Sequence, residues 1–115
     1  MIKKAAEAKT EYREHMRDGA GTVELTNYVT PAEMGDKGRM FGTIKLNPGC
    51  GIGFHVHEKD SEYFYIIKGT AQYSDNGEIK TVTAGDVTVC PAGTGHSITN
   101  NSDEVVELVA AIVYA

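Results

Sequence analysis

The stretch Gly49-Cys50-Gly51-Ile52-Gly53-Phe54-His55-Val56-His57-Glu58-Lys59-Asp60-Ser61-Glu62, continuing through Tyr63 to Lys68 and ending at Gly69, decides how this chain is read. His55 and His57 lie two apart. On extended backbone, side chains alternate between faces, so both imidazoles point the same way. The polar connector Glu58-Lys59-Asp60-Ser61 is long enough for the chain to turn back, and Glu62 can then face the two rings from the neighbouring strand. This is half of a metal site, and a third imidazole is available far downstream at His96.

Outward from that stretch, short apolar-rich runs punctuated by Gly, Asn-Gly and Pro recur at the spacing of an all-β sandwich or barrel. Thr22 to Thr30 alternates Val23, Leu25, Asn27 and Val29 against polar neighbours, and Met40, Gly42, Ile44 and Leu46 share one face of the next run. Between them, Pro31 to Gly38 is a polar loop. If Glu62 faces inward, Phe64 and Ile66 follow it, while Tyr63, Tyr65 and Ile67 face out. Three large outward residues need a second layer or a partner subunit, and a homodimer is expected. Asn76-Gly77 tolerates the positive φ angles of a two-residue hairpin turn. Ala84-Gly85-Asp86 makes another turn before the short strand Val87 to Cys90, which Pro91 ends. Val105 to Tyr114 is apolar on both faces, as a covered strand is. The segment before residue 19 has only a weak apolar stripe and reads as a polar arm with at most a turn of helix, and His15 within it reads as a solvated histidine.

Composition sets the bounds. With 115 residues, 41% hydrophobic and 23% charged, the chain has the size and balance of a single soluble domain, spanning residues 1–115 with the arm at 1–18 and a barrel core at 40–114. The start Met1-Ile2-Lys3-Lys4 resembles the basic end of a signal peptide, but Glu7, Lys9 and Glu11 interrupt any apolar run. A cytoplasmic location is the default. No membrane partner is expected, since no run approaches the ~18 apolar residues of a membrane span. The net charge of −5, with Lys and Arg scattered, argues against a nucleic-acid partner. Cys50 and Cys90 are too few for a disulfide framework and read as thiols of a reducing compartment; the sharper alternative makes Cys50 an oxidisable group beside the site.

Two patterns carry a family resemblance. The first is a Gly, five residues, His-x-His, three or four residues, Glu, six residues and Gly, filled by Gly49, His55, His57, Glu62 and Gly69. The second is a Gly, five residues, Pro-x-Gly, two residues, His, three residues and Asn, filled by Gly85, Pro91, Gly93, His96 and Asn100. The chain resembles a small single-domain cupin. That resemblance implies a double-stranded β-helix, or jelly-roll barrel, with metal ligands His55, His57, Glu62 and His96.

The residues themselves agree. Burying three imidazoles and a carboxylate without a metal would oblige each to find its own partner. Three nitrogens and one oxygen suit Fe, Mn, Ni, Co, Cu or Zn as the divalent transition metal and disfavour Ca. Met40, Ile44, Phe64, Ile66 and Ile98 are the candidate lining of a small apolar pocket. No general acid or base identifies itself; Lys45, Lys68 and Glu58 read as solvated, and Arg39 and Met34 as candidates for a lid. The expected function is an enzyme acting on a small organic molecule, of the dioxygenase, decarboxylase or isomerase type that the resemblance implies. A non-catalytic metal or small-ligand binding module is the alternative, and a closed structural zinc site the third reading.

Overall fold

A computed structural model describes residues Met1–Ala115. Ten strands follow in chain order: β1 Thr10–Glu14, β2 Thr22–Asn27, β3 Gly38–Leu46, β4 Gly51–His57, β5 Asp60–Lys68, β6 Thr70–Asp75, β7 Glu78–Thr83, β8 Val87–Cys90, β9 Thr94–Thr99 and β10 Val106–Tyr114. They form two antiparallel sheets, one ordered β1-β2-β3-β10-β5-β8 and the other β4-β9-β6-β7. The two sheets fold face to face as a double-stranded β-helix. No helix is long and apolar enough to cross a membrane.

Alternation builds the interior. Met40, Ile44 and Leu46 of β3, Phe64 and Ile66 of β5, and Val106, Leu108, Ala110 and Ile112 of β10 point into one core of 16 buried residues. Each fully buried aliphatic or aromatic side chain stabilises by about 1.5–3 kcal/mol relative to an exposed one. β10 lies centrally, pairing β3 on one side and β5 on the other. Only its inward face is buried: on the outer face Val109 and Ala111 are half-buried and Val113 is exposed, so the covered strand expected here is covered on one side. The outward residues Tyr63, Tyr65 and Ile67 are 39%, 48% and 47% exposed.

The connections follow turn chemistry. Asn76 and Gly77 adopt φ of 52° and 103°, closing the β6–β7 hairpin between Asp75 and Glu78. Asn100 is fully buried. Its amide donates to the carbonyls of Leu46 at 2.9 Å and Glu104 at 2.7 Å, and its Oδ1 accepts from the Ser102 N–H and hydroxyl. One side chain thus satisfies the backbone of two crossing segments.

Two departures from alternation occur near the N-terminus. The polar arm contains a five-residue strand, β1, between two 3-10 turns, Ala5–Glu7 and Met16–Asp18. All of β1 is exposed, so no apolar pattern betrays it; its backbone pairing with β2, from Thr10↔Thr26 to Glu14↔Thr22, holds it at the sheet edge. β2 ends at Asn27, short of Thr30, because the Asn27 side chain leaves the ladder pattern to bond the β3 backbone at Phe41 and Arg39.

Candidate metal centre

Three strands bring the chemistry together. In β4 the register against β9 shifts between Ile52 and His55, a bulge at Gly53-Phe54 that leaves His55 directly opposite His96. His57 follows two residues on, and Glu62 enters from β5. The four donor atoms of His55, His57, Glu62 and His96 all lie within 4.8 Å of one another. The three ring centroids form a nearly equilateral triangle with sides of 5.0, 4.8 and 5.0 Å. His57, Glu62 and His96 are buried, and His55 is half-buried.

Each ring is held by its Nδ1. His55 Nδ1 lies 2.8 Å from the Gly53 carbonyl, which only accepts, so the proton sits on Nδ1. His57 Nδ1 donates to Asp60 Oδ1 at 2.6 Å. His96 Nδ1 shares a 2.8 Å hydrogen bond with the Tyr73 hydroxyl. The Nε2 atoms of His57 and His96 stand 3.2 Å apart, at 3.1 and 2.9 Å from the same Glu62 Oε1. His57, whose Nδ1 donates to Asp60, turns its Nε2 toward the Glu62 carboxylate, and His96 Nε2 approaches the same oxygen. Holding the far nitrogen of each ring is the usual support of metal-ligating histidines, and an ion shared by the three rings and the carboxylate would satisfy the whole cluster. The residues therefore fit a divalent transition ion.

The electrostatics agree with that fit. Burial would raise the Glu62 carboxyl, but hydrogen bonds from His57 and His96 outweigh it and hold the group below its usual range. The hydrogen bond to Glu62, reinforced by Asp60 against burial, raises His57. Burial lowers His55, keeping it neutral. Asp60 is pushed up by burial yet ends below its usual range through its bonds to Arg39 and His57. Burial pushes Tyr73 up to about 12, so it stays a neutral phenol beside His96.

The cluster opens on a cavity of about 590 Å³. Met16, Leu25, Met40, Ile44, Ile52 and Ile112 supply its apolar wall, and Glu11, Arg13, Glu14, Arg17, Asn27 and Arg39 its polar one. Of the expected lining, Met40 and Ile44 reach this cavity. Phe64, Ile66 and Ile98 do not: they are 1% exposed or less, deeper in the core, because residues beyond Glu62 and His96 on the inward face pass beneath the cluster. Phe64 stacks on His96 with centroids 5.1 Å apart and planes 22° from parallel, so it backs a ring instead of facing a ligand.

Sequence reading passed over three contributors and misplaced a fourth. Asp60, treated as connector, lies two residues before Glu62 and shares its face, so alternation could have found it. Tyr73 sits on the inward face of β6 with Ala71, and the same argument reaches it. Arg39, read as a lid candidate in or beside the loop, lies on β3, where parity would turn it outward. The N-terminal wall had no readable pattern. Cys50 is a half-buried free thiol whose Sγ lies 3.9 Å from the Pro48 carbonyl, and Cys90 is a buried free thiol. His15 is exposed, as expected of a solvated histidine.

With this site in view, the class is defined: residues 42–112 match the Cupin domain family, and the chain belongs to it. Among its relatives, the oxalate-binding protein of Thermotoga maritima is 35% identical over 98% of this chain and 93% of its own length. The crystal structure of a predicted oxalate decarboxylase from Thermotoga maritima, also 35% identical, superposes over 100% of both chains with a TM-score of 0.95. A putative mannose-1-phosphate guanylyltransferase of Vibrio cholerae is 28% identical over 90% of this chain, which spans 21% of that protein. The polyketide cyclase RemF of Streptomyces resistomycificus, 17% identical with a TM-score of 0.75, shares the fold.

Proposed function

We propose that this cupin binds a small carboxylic acid, with oxalate as the leading candidate, at a divalent transition metal held by His55, His57, Glu62 and His96. The observation that carries the reading is the cluster of three Nδ1-anchored imidazoles and a buried carboxylate, of which His55, His57 and Glu62 line a cavity whose wall also carries arginines. The 35% identical oxalate-binding relative supports the ligand class. When bound, the ion supplies a Lewis-acid site for a carboxylate oxygen. The chain's own residues then orient the rings, exclude water on the Met40, Ile44 and Ile112 side and present cationic groups to the anion. Calorimetric titration of oxalate into metal-loaded and metal-free protein tests this: binding only to the loaded form supports it, and equal binding to both sinks it.

A second reading, turnover of the bound acid, is favoured by Glu14. This cavity carboxylate has no salt-bridge partner and can exchange a proton with a ligand. Among dioxygenase, decarboxylase and isomerase chemistries, decarboxylation fits such a group, a proton replacing the departing carbon dioxide. Formate appearing from oxalate would distinguish the enzyme from the binder.

The protein also forms a homodimer through the outer face of the larger sheet. Tyr63, Tyr65 and Ile67 of β5 adjoin Val87 and Val89 of β8, which are 61% and 51% exposed, and β10 links them to Phe41 of β3. An apolar patch crossing four strands is unusual on a lone chain. Light scattering should give a dimer that Tyr65→Arg converts to monomer; a monomeric wild type contradicts the assignment.

A further inference from the structure

Along β3, alternation would place Arg39 outward with Phe41 and Thr43, yet it lines the cavity. The cause is a register shift against β10: Ile112 pairs with Met40 and Val113 with Gly38, so Arg39 is the unpaired extra residue of a bulge. A bulge re-aims the side chain it carries. The backbone it disturbs is recovered by Asn27, whose Nδ2 donates to the Arg39 carbonyl at 3.3 Å and whose Oδ1 accepts the Phe41 N–H at 3.0 Å.

The guanidinium is fixed at one edge. Arg39 Nε donates to Asp60 Oδ2 at 2.9 Å, and the other Asp60 oxygen accepts from His57 Nδ1 at 2.6 Å. No other protein acceptor takes the terminal NH₂ groups of Arg39. Arg13, on the same cavity, differs: its Nε and Nη2 both go to Glu11, at 3.1 and 2.8 Å. An arginine held at Nε keeps planar donors that match a carboxylate, which a lysine cannot reproduce.

Resting on the carboxylate reading above, the geometry points to Arg39 as the residue that recognises the acid. Its free Nη groups take the carboxylate oxygens turned away from the four-residue cluster. Asp60 holds Arg39 and His57 in one frame, so the anion-binding group keeps a fixed place relative to the ligand ring. Arg39 is in this sense a specificity-determining residue.

The test is calorimetric titration of oxalate, and separately of acetate, into manganese-loaded wild type, R39Q and R39K, with manganese content measured in each. R39Q should keep its manganese and lose about 10- to 100-fold in oxalate affinity, the scale of a lost charge-assisted hydrogen-bonded pair. Acetate affinity should change less, so discrimination between the two acids falls. R39K, with charge but no fork, should lie between, and it carries the test if R39Q melts early. R39Q that retains manganese and binds oxalate like wild type overturns the inference while leaving the carboxylate reading intact. Loss of manganese from both variants also overturns it, since Arg39 would then act only as support for His57. A manganese-loaded wild type that binds no oxalate contradicts the carboxylate reading itself and takes the inference with it.

Discussion

Strands β4 and β5, backed by His96 of β9, and the N-terminal segment Thr10 to Gly21 wall the same cavity, but they are held by different forces. On the strand side the functional groups are buried, with His57, Glu62 and His96 at 4%, 5% and 1% exposure, and side-chain hydrogen bonds set their orientation. On the N-terminal side every β1 residue is exposed, and His15, Arg17 and Asp18 all adopt positive φ, of 49°, 53° and 64°. That turn is seated largely by backbone, with Met16 packed against the core: Gly51 N–H donates to the Ala20 carbonyl at 2.9 Å, and a Cβ on Gly53 would collide with the carbonyl of Arg17. The strand side is therefore built for one chemistry. The N-terminal side, apart from the core-packed Met16, is a wall of exposed side chains, and it suits selection among ligands.

The largest effect belongs to the buried side. Phe64→Ala should remove about 3–5 kcal/mol of folding stability, measured by urea unfolding, and should also loosen His96, which the ring backs. A variant that loses stability but keeps full metal affinity would show that the stack is mere packing.

Metal affinity should fall as pH drops from 7 to 5, by about tenfold per unit for each proton displaced. The sign follows from His57. Its hydrogen bond to Glu62 raises its pKa, so the metal-free protein keeps a proton there to higher pH than an ordinary histidine, and that proton must leave before the ring can ligate. Affinity is thus complete at high pH and lost as pH falls through the raised value. His55, lowered by burial, stays neutral further down and does not set the onset. Metal titrations at several pH values check this.

Asp60→Asn should weaken metal binding about 10- to 100-fold by releasing the His57 ring, with little change in the melting of the metal-free fold. Gly53→Ala probes the other wall and should act more gently, costing about 1–3 kcal/mol as the Arg17 turn lifts from β4. It should weaken carboxylate binding more than metal binding. If both fall together, the two walls are not separable.

The same contrast explains what could be read from the chain. His55, His57, Glu62 and His96 were legible because two of them obey a period of two and all fall at the spacing of two motifs, and because burying such groups demands a common partner. The β10 core face and the Asn76-Gly77 hairpin were legible for equally local reasons. Arg39 was not, since a bulge breaks the parity that sequence reasoning relies on. Strand β1 was not, since an exposed edge strand has no apolar period and is defined by its pairing with β2. The depth of Phe64, Ile66 and Ile98 escaped because alternation gives a face but not a distance from the cavity mouth.

The central claim is that four side chains hold one transition metal. Purified wild type and the His55→Ala/His96→Ala variant, each equilibrated with manganese, iron or zinc and dialysed, should be compared by elemental mass spectrometry. The account predicts about one ion per chain in the wild type, as a single four-ligand site requires, and none in the variant. Equal metal content in the two proteins would contradict it.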